Sequence, residues 1–412
     1  MRLRFNKISD ANYKIAKSSK DFDMPQEMER QDSLSSQESN PPQRESDELC
    51  FLGLGSCNAK SAKIQLGLSR KLSSDPSETG PYEDRPHKYL REQCDFSEAT
   101  EPFLDRYRQR FAPLRHHNGA QTFFIPVHGI TNRSLAGEDN NEIKFFRTVF
   151  EVEVPRGAHN LDECTFRRDA RKEISEHEYL QEIAEELKGA FDLPAHQGPL
   201  CFFTHGAFTG AGISDLDTLR LAMLSGVPTV NVDWRSTQGP WYSLPMRYPI
   251  DFNGAITQEK YFEPALDKTF QFIGQNHSAM IGFSRGTAFN AGYMMHRFNN
   301  RQIEAPINAD VLAHADLAAS MFRLRQDGVN PIVAASKNTI VLGNKHDGAL
   351  RVGRWRIFGD RIGDAEPSDV RAVTEAGGTY VIDTYQRKGG NFNHYVDYKI
   401  ISSMIRTMVL PK

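Results

Sequence analysis

The run Ala279-Met280-Ile281-Gly282-Phe283-Ser284-Arg285-Gly286 constrains this chain more than any other stretch. Apolar residues come first, Gly-x-Ser-x-Gly follows, and a helix-compatible segment runs on from Thr287 to Phe298. A strand that turns so abruptly into a helix needs glycine at both flanks, where a side chain would collide with neighbouring backbone. The serine is then held at the tip of the turn, its hydroxyl off the sheet edge. The pentapeptide by itself also fits an ordinary Gly/Ser loop. Its place between strand-like runs gives it weight.

Those runs begin at Gln121. Thr122 to Val127 and Phe145 to Val154 are rich in β-branched and aromatic residues and read as strands, the second ended by Pro155. Cys164 to Phe191 reads as a helix, with Ile174, Leu180, Ile183, Leu187 and Phe191 recurring at steps of three to four or small multiples of them. Further strands are expected at Leu200 to Thr204, Thr229 to Asp233, Ala309 to Ala315, Asn338 to Gly343 and Thr379 to Asp383. Helices are expected at Leu216 to Leu224 and Tyr261 to Gly274. Short apolar runs alternating with helices imply a mostly parallel sheet covered on both faces.

Residues 1–118 have a different texture and read as a poorly ordered extension ahead of a folded domain at 119–412. Gln31 to Asp47 is Ser, Gln, Glu, Asn and Pro with almost nothing to bury. Within the extension, Gly55 to Ser61 fails as a phosphate loop because no glycine precedes the lysine. His116-His117 has no accompanying ligand set and reads as a surface pair. No metal and no cofactor are expected. The five cysteines are scattered, odd in number and without Cys-x-x-Cys spacing, which argues against a disulfide framework and for a reducing, cytoplasmic setting. A net charge of −3 supplies no field for nucleic acid. No run approaches the length of a transmembrane helix. No Sec-type leader follows the charged first residues, so any export would take another route.

Parallel sheets carry their functional loops beyond the C-terminal strand ends. Following each strand in turn gives His205-Gly206-Ala207-Phe208, then Ser284, then Asn344-Lys345-His346-Asp347, then a Gly- and Asn-rich loop that ends at Asn393-His394-Tyr395. A serine hydroxyl is a poor nucleophile near neutral pH. It needs an imidazole to take its proton and a carboxylate to fix that imidazole. Ser284, Asp347 and His394 occur in the chain order of an α/β-hydrolase. Asp316, also at a strand end, is the alternative acid, and Asp383 reads as structural. Gly206 lets backbone approach a reacting carbonyl, with His205 in the same loop. The N–H of Ala207 or Phe208 and that of Arg285 are candidate oxyanion donors. Gly282 and Gly286 frame the turn.

With these residues in view, the chain resembles the bacterial α/β-hydrolases of the DUF900 type over roughly Phe145 to Met404. The likeness lies in Phe146 to Arg156, Phe203-Thr204-His205-Gly206 and Val232-Asp233-Trp234-Arg235-Ser236 with Gly239. It continues in Gly282 to Gly286, Leu312 to Asp316, Lys345 to Leu350 and His394. The resemblance implies Ser284 as nucleophile, Asp347 as acid and His394 as base. The elbow differs from the family's usual His-Ser-Met-Gly.

Between Trp234 and Tyr261 the chain carries Trp241, Tyr242, Leu244, Met246, Tyr248 and Ile250 among three prolines, without a period. It reads as a lid-like insertion at about 235–260, or equally as a packed surface loop. Its apolar content points to an acyl or aromatic ester, lipid included. Arg351, Arg354, Arg356 and Arg361 around Trp355 read as a solvated charged face. The expected function is a serine hydrolase acting on a carboxylic ester. The rivals are a non-catalytic binding protein on the same scaffold and a secreted bacterial effector.

Overall fold

The computed structural model describes residues 113–133, 142–158, 161–192, 198–236, 244–274, 277–300, 302, 306–353, 361–383 and 394–409. The extension expected over 1–118 therefore lies outside the described residues except at its end. There Leu114–Arg115 (β1) pairs antiparallel with Gln121–Thr131 (β2), so the sheet takes in residues ahead of 119. His116 bonds Thr122 through Nε2 at 2.7 Å.

Strand β3 (Lys144–Val154) alternates between buried and half-buried residues, the two-residue period of a strand with one face on the core. It pairs antiparallel with β2 along eleven positions. The helix expected from Cys164 starts only at Glu176. Thr165–Arg168 (β4) and Lys172–Ile174 (β5) both pair with β3 instead. Ser175 sets the helix start by accepting a hydrogen bond from the Glu178 N–H, with Glu176 and Glu178 in the positive first turn. Ile174 fits the helical spacing by coincidence: it lies in a strand and faces the same core. Helix α1 then runs Glu176–Phe191.

The remaining elements alternate. Leu200–Thr204 (β6), Ala211–Ser225 (α2) and Thr229–Asp233 (β7) come first, then Leu244–Ile273 (α3), Ser278–Phe283 (β8) and Gly286–Asn299 (α4). Ala309–Ala313 (β9), Ala319–Arg323 (α5), Pro331–Ala334 (α6) and Thr339–Asn344 (β10) follow. Gly348–Gly353 (α7), Pro367–Glu375 (α8), Thr379–Asp383 (β11) and Tyr398–Val409 (α9) complete the series. The insertion expected at about 235–260 falls partly outside the described residues, and from Leu244 onward it is helix. Pro245 does not prevent this, because in a helix's first turn no backbone bond needs its missing N–H.

The strands lie in the order β11-β10-β9-β8-β6-β7-β2-β3-β4, with β1 added to β2 and β5 to β3. Every pairing from β11 to β2 is parallel. The chain winds one way from β6 to β7, then crosses back to set β8 on the other side of β6. That reversal opens a crevice beyond the strand ends, the usual seat of a ligand in such sheets. Two apolar cores result. One packs α2 and α9 on one face, through Leu216, Leu219, Ile401 and Ile405. The other packs α1, α3, α4, α6 and α8 on the opposite face, through Ile183, Phe262, Phe289, Ile332 and Val373.

Asn231, Asp233 and Asp310 are among the polar side chains buried in the strands. Asn231 is held by Ser214 and Asp215 of α2. Asp233 accepts from arginines and His205. Asp310 of β9 accepts from Asn290 at 3.4 Å, its one side-chain hydrogen bond among the described residues, and burial pushes its carboxyl up to about 7.

Candidate active site

Ser284 follows β8 directly, and α4 starts two residues later. The turn is forced by backbone contacts. A Cβ on Gly286 would stand 2.2 Å from the Thr204 carbonyl oxygen, and one on Gly282 would stand 2.9 Å from the Gly286 oxygen. Ser284 itself takes φ 51°, the left-handed region that non-glycine residues seldom occupy. Its N–H is tied to the Ala313 carbonyl at 2.9 Å, and its carbonyl accepts the Thr287 hydroxyl at 2.6 Å. The strained tip is thereby anchored on both sides.

The serine hydroxyl lies 2.8 Å from Nε2 of His394, and Nδ1–H of His394 donates to Oδ2 of Asp347 at 2.7 Å. Oδ1 of Asp347 accepts the Leu350 N–H at 3.0 Å at the start of α7. Asp347 is sealed at 0%, whereas the His394 side chain is 18% exposed and open to an incoming reactant. Burial alone pushes Asp347 up, but the attraction of His394 and the hydrogen bonds from His314 and His394 hold it well below the usual carboxylate range. Burial likewise pushes His394 down. The charge and hydrogen bond of Asp347, with Asp316 adding, outweigh it, and the imidazole ends above its ordinary value.

The loop after β6 lies against the serine. A Cβ on Gly206 would stand 3.0 Å from that of Ser284. Phe208 adopts φ 59°, a local bend that leaves Ala207 and Phe208 at the turn. His205 holds the loop by its ring: Nε2 to Asp233 at 2.9 Å, Nδ1 to the Gly206 oxygen at 2.7 Å, with the plane stacked on Trp234. Arg133 adds a second tether by donating to Asp233, Ser236 and the Thr209 and Trp234 carbonyls. Arg171 bridges Asp233 to Asp215 of α2. The motif Val232 to Ser236 thus serves to hold the loop.

Asp316, the other acid considered, is placed differently. Its two oxygens meet Arg285 and Arg361, each at 2.9 Å, and all three side chains are buried. Arg361 is consequently no part of a solvated basic face, as its sequence neighbours suggested. It is drawn inside by the Asp316 carboxylate, while 354–360 lie outside the described residues. Asp383 accepts from Asn344 Nδ2 at 2.9 Å across β10 and β11.

His314 was passed over in the sequence. It closes β9 and donates from Nδ1 to Oδ2 of Asp347 at 2.7 Å, so one carboxylate oxygen serves two imidazoles. A histidine two residues before a strand-end aspartate carries no spacing signal, because its partner lies in the next strand's loop. Among the described residues, His314, Asp347 and His394 alone bring three metal-capable ligand atoms within 4.8 Å. Those atoms hydrogen-bond one another, and Nε2 of His394 is engaged by Ser284, which is the pattern of a proton relay.

No family model and no curated protein matches the chain. Solved structures do. A hyperthermophilic esterase from the archaeon Pyrobaculum calidifontis aligns over 84% of this chain and 98% of its own, at 14% identity and a TM-score of 0.31. The thermostable carboxylesterase EstE1 from a metagenomic library aligns over 79% and 99%, at 14% identity and 0.33. A bacterial heroin esterase aligns over 76% and 91%, at 13% identity and 0.31. These overlays are loose, and the strand order, the sharp turn at Ser284 and the order of loops around it define the architecture on their own. The chain has the α/β-hydrolase fold.

Proposed function

We propose that the protein is a serine hydrolase that cleaves a carboxylic ester through an acyl-enzyme. The observation that carries this reading is the hydrogen-bonded series Ser284–His394–Asp347 at the crevice where the sheet's winding reverses. His394 takes the Ser284 proton as the oxygen attacks the ester carbonyl. The tetrahedral oxyanion is met by the Arg285 N–H and an N–H of Ala207 or Phe208. Collapse expels the alcohol, which receives the proton from His394. Water then repeats the sequence on the acyl-serine, releasing acid. Asp347 stabilises the imidazolium throughout and stays ionised. The substrate class is a small-molecule or lipid ester, and the kinship to DUF900-type hydrolases belongs to the same proposal.

The test is labelling by a fluorophosphonate probe beside hydrolysis of p-nitrophenyl acetate. Wild type labels and turns over. Ser284→Ala and His394→Ala lose labelling, and kcat falls by about 10⁶ for the serine. A folded wild type that neither labels nor hydrolyses would sink the proposal and leave a binding protein on a hydrolase scaffold.

A further inference from the structure

Two imidazoles share Oδ2 of Asp347, and only one of them reaches the serine. The His314 ring is fully buried and stands at 90° to that of His394, with centroids 5.6 Å apart. Phe283 and Tyr395 pack around it. Among the described residues its Nε2 meets no hydrogen-bond partner. Its backbone is held at φ 48° by the N–H bond to the Leu342 carbonyl at 2.7 Å. If the ring were there only to fill space, phenylalanine would fill it without burying an unpaired nitrogen. What histidine adds is the Nδ1–H aimed at Asp347, held there by a backbone conformation that L-residues seldom adopt.

We propose that His314 is a positioning residue for the hydrolytic series, its Nδ1–H pinning Oδ2 of Asp347 and drawing off part of the charge that His394 would otherwise face alone. This rests on the serine-hydrolase reading above. The Leu350 N–H holds Oδ1 of Asp347, and His314 shares Oδ2 with His394, so the oxygen that faces His394 is also held from a second side. The charged and titratable groups facing this pair come from every loop around it. They are Arg285 after β8, Asp316 after β9, His394 ahead of α9, and Asp397 with Asp383 beside it. Among the described residues none of the others donates to Oδ2.

The sign of the effect separates this role from mere structural support. A second donor weakens the hold of Asp347 on the His394 proton. Its removal leaves His394 protonated to higher pH, so the acid limb of kcat/KM moves upward. Simple loss of geometry would free His394 from Asp347 and move the limb downward, with activity lost at every pH.

The experiment compares full-length wild type, His314→Phe, His314→Asn and Ser284→Ala on p-nitrophenyl acetate between acid and mild alkali, with thermal melts alongside. His314→Phe should shift the acid limb to higher pH and lower kcat near neutrality about ten-fold, with KM little changed. His314→Asn keeps a donor near the Nδ1 position and should return the limb most of the way. An unshifted or downshifted limb in folded His314→Phe overturns the proposal, while loss of activity in Ser284→Ala leaves the hydrolase reading standing. Full activity in Ser284→Ala overturns that reading instead. If His314→Phe does not fold, proton spectra of wild type decide. Two downfield imidazole N–H resonances, both lost in Asp347→Asn, support the shared oxygen, and a single one overturns it.

Discussion

Asp347 accepts three hydrogen bonds from neutral or titrating donors, whereas Asp316 is clamped between two guanidinium groups, so neutralising each carboxylate has a different consequence. Asp347→Asn presents His394 with an amide and disturbs its tautomer. We expect kcat to fall by about 10⁴ with a modest change in melting temperature. Asp316→Asn leaves Arg285 and Arg361 buried without their counter-ion. We expect it to cost about 3–5 kcal/mol of stability and to affect turnover far less at temperatures where the protein is folded. Paired kcat and melting measurements check both, and the reverse ranking would move the acid to Asp316. At this scale the sequence pointed to Ser284, Asp347 and His394 through their order after successive strands, and the three side chains lie within hydrogen-bonding distance. It did not show His314, whose role exists only because β9 and β10 are neighbours in register. It also left Arg361 on the surface, because nothing local indicates that a carboxylate 45 positions earlier draws it inside.

The elements β2 and α1 are joined by a clamp that no local pattern announces. His128, buried in β2, meets Glu182 at 2.7 Å and Glu186 at 3.2 Å, one helical turn apart on α1. Burial pushes the imidazole down, but hydrogen bonds and attraction from both glutamates outweigh it, and the net direction is up. A histidine raised in the folded state adds stability that is complete below its unfolded value of about 6.5. That stability fades as pH climbs through the folded value. Wild type should therefore lose stability from mildly acid to mildly alkaline pH relative to His128→Gln, measured by urea melts. Parallel slopes for the two would disprove the clamp. Short strands rich in apolar and β-branched residues, β6, β7 and β11, were legible to the residue. The region 164–175 was not, because β4 and β5 are short strands whose pairing with β3 decides their state. The long start of α3 was hidden by its prolines, of which Pro245 lies in the first turn, where a helix tolerates it, and Pro249 lies further in.

Over the whole molecule, the proposed mechanism makes activity depend on pH through His394. His394 must be neutral to accept the serine proton, and its folded value lies above 6.5. The kcat/KM profile should fall as pH drops through that raised value, with the midpoint above 6.5; a midpoint below it would show that Asp347 does not hold the imidazole. Gln31 to Asp47 offers almost nothing to bury. We therefore expect deletion of residues 1–110 to leave the melting temperature unchanged, and a collapse would mean that the removed segment completes the core. The doubly covered parallel sheet could be read from the alternation of runs and helices. The reversal of winding at β6 could not, since a strand's neighbours are set by packing across the sheet. The buried polar residues of that sheet also bear on the chain before it folds. Without Asp310, strand β9 would be five apolar residues in a row, the kind of segment that stacks between copies into fibrils. In the unfolded chain Asp310 is a hydrated anion that repels its counterpart on another molecule, so the desolvation it costs the finished sheet is offset by resistance to aggregation during synthesis and refolding.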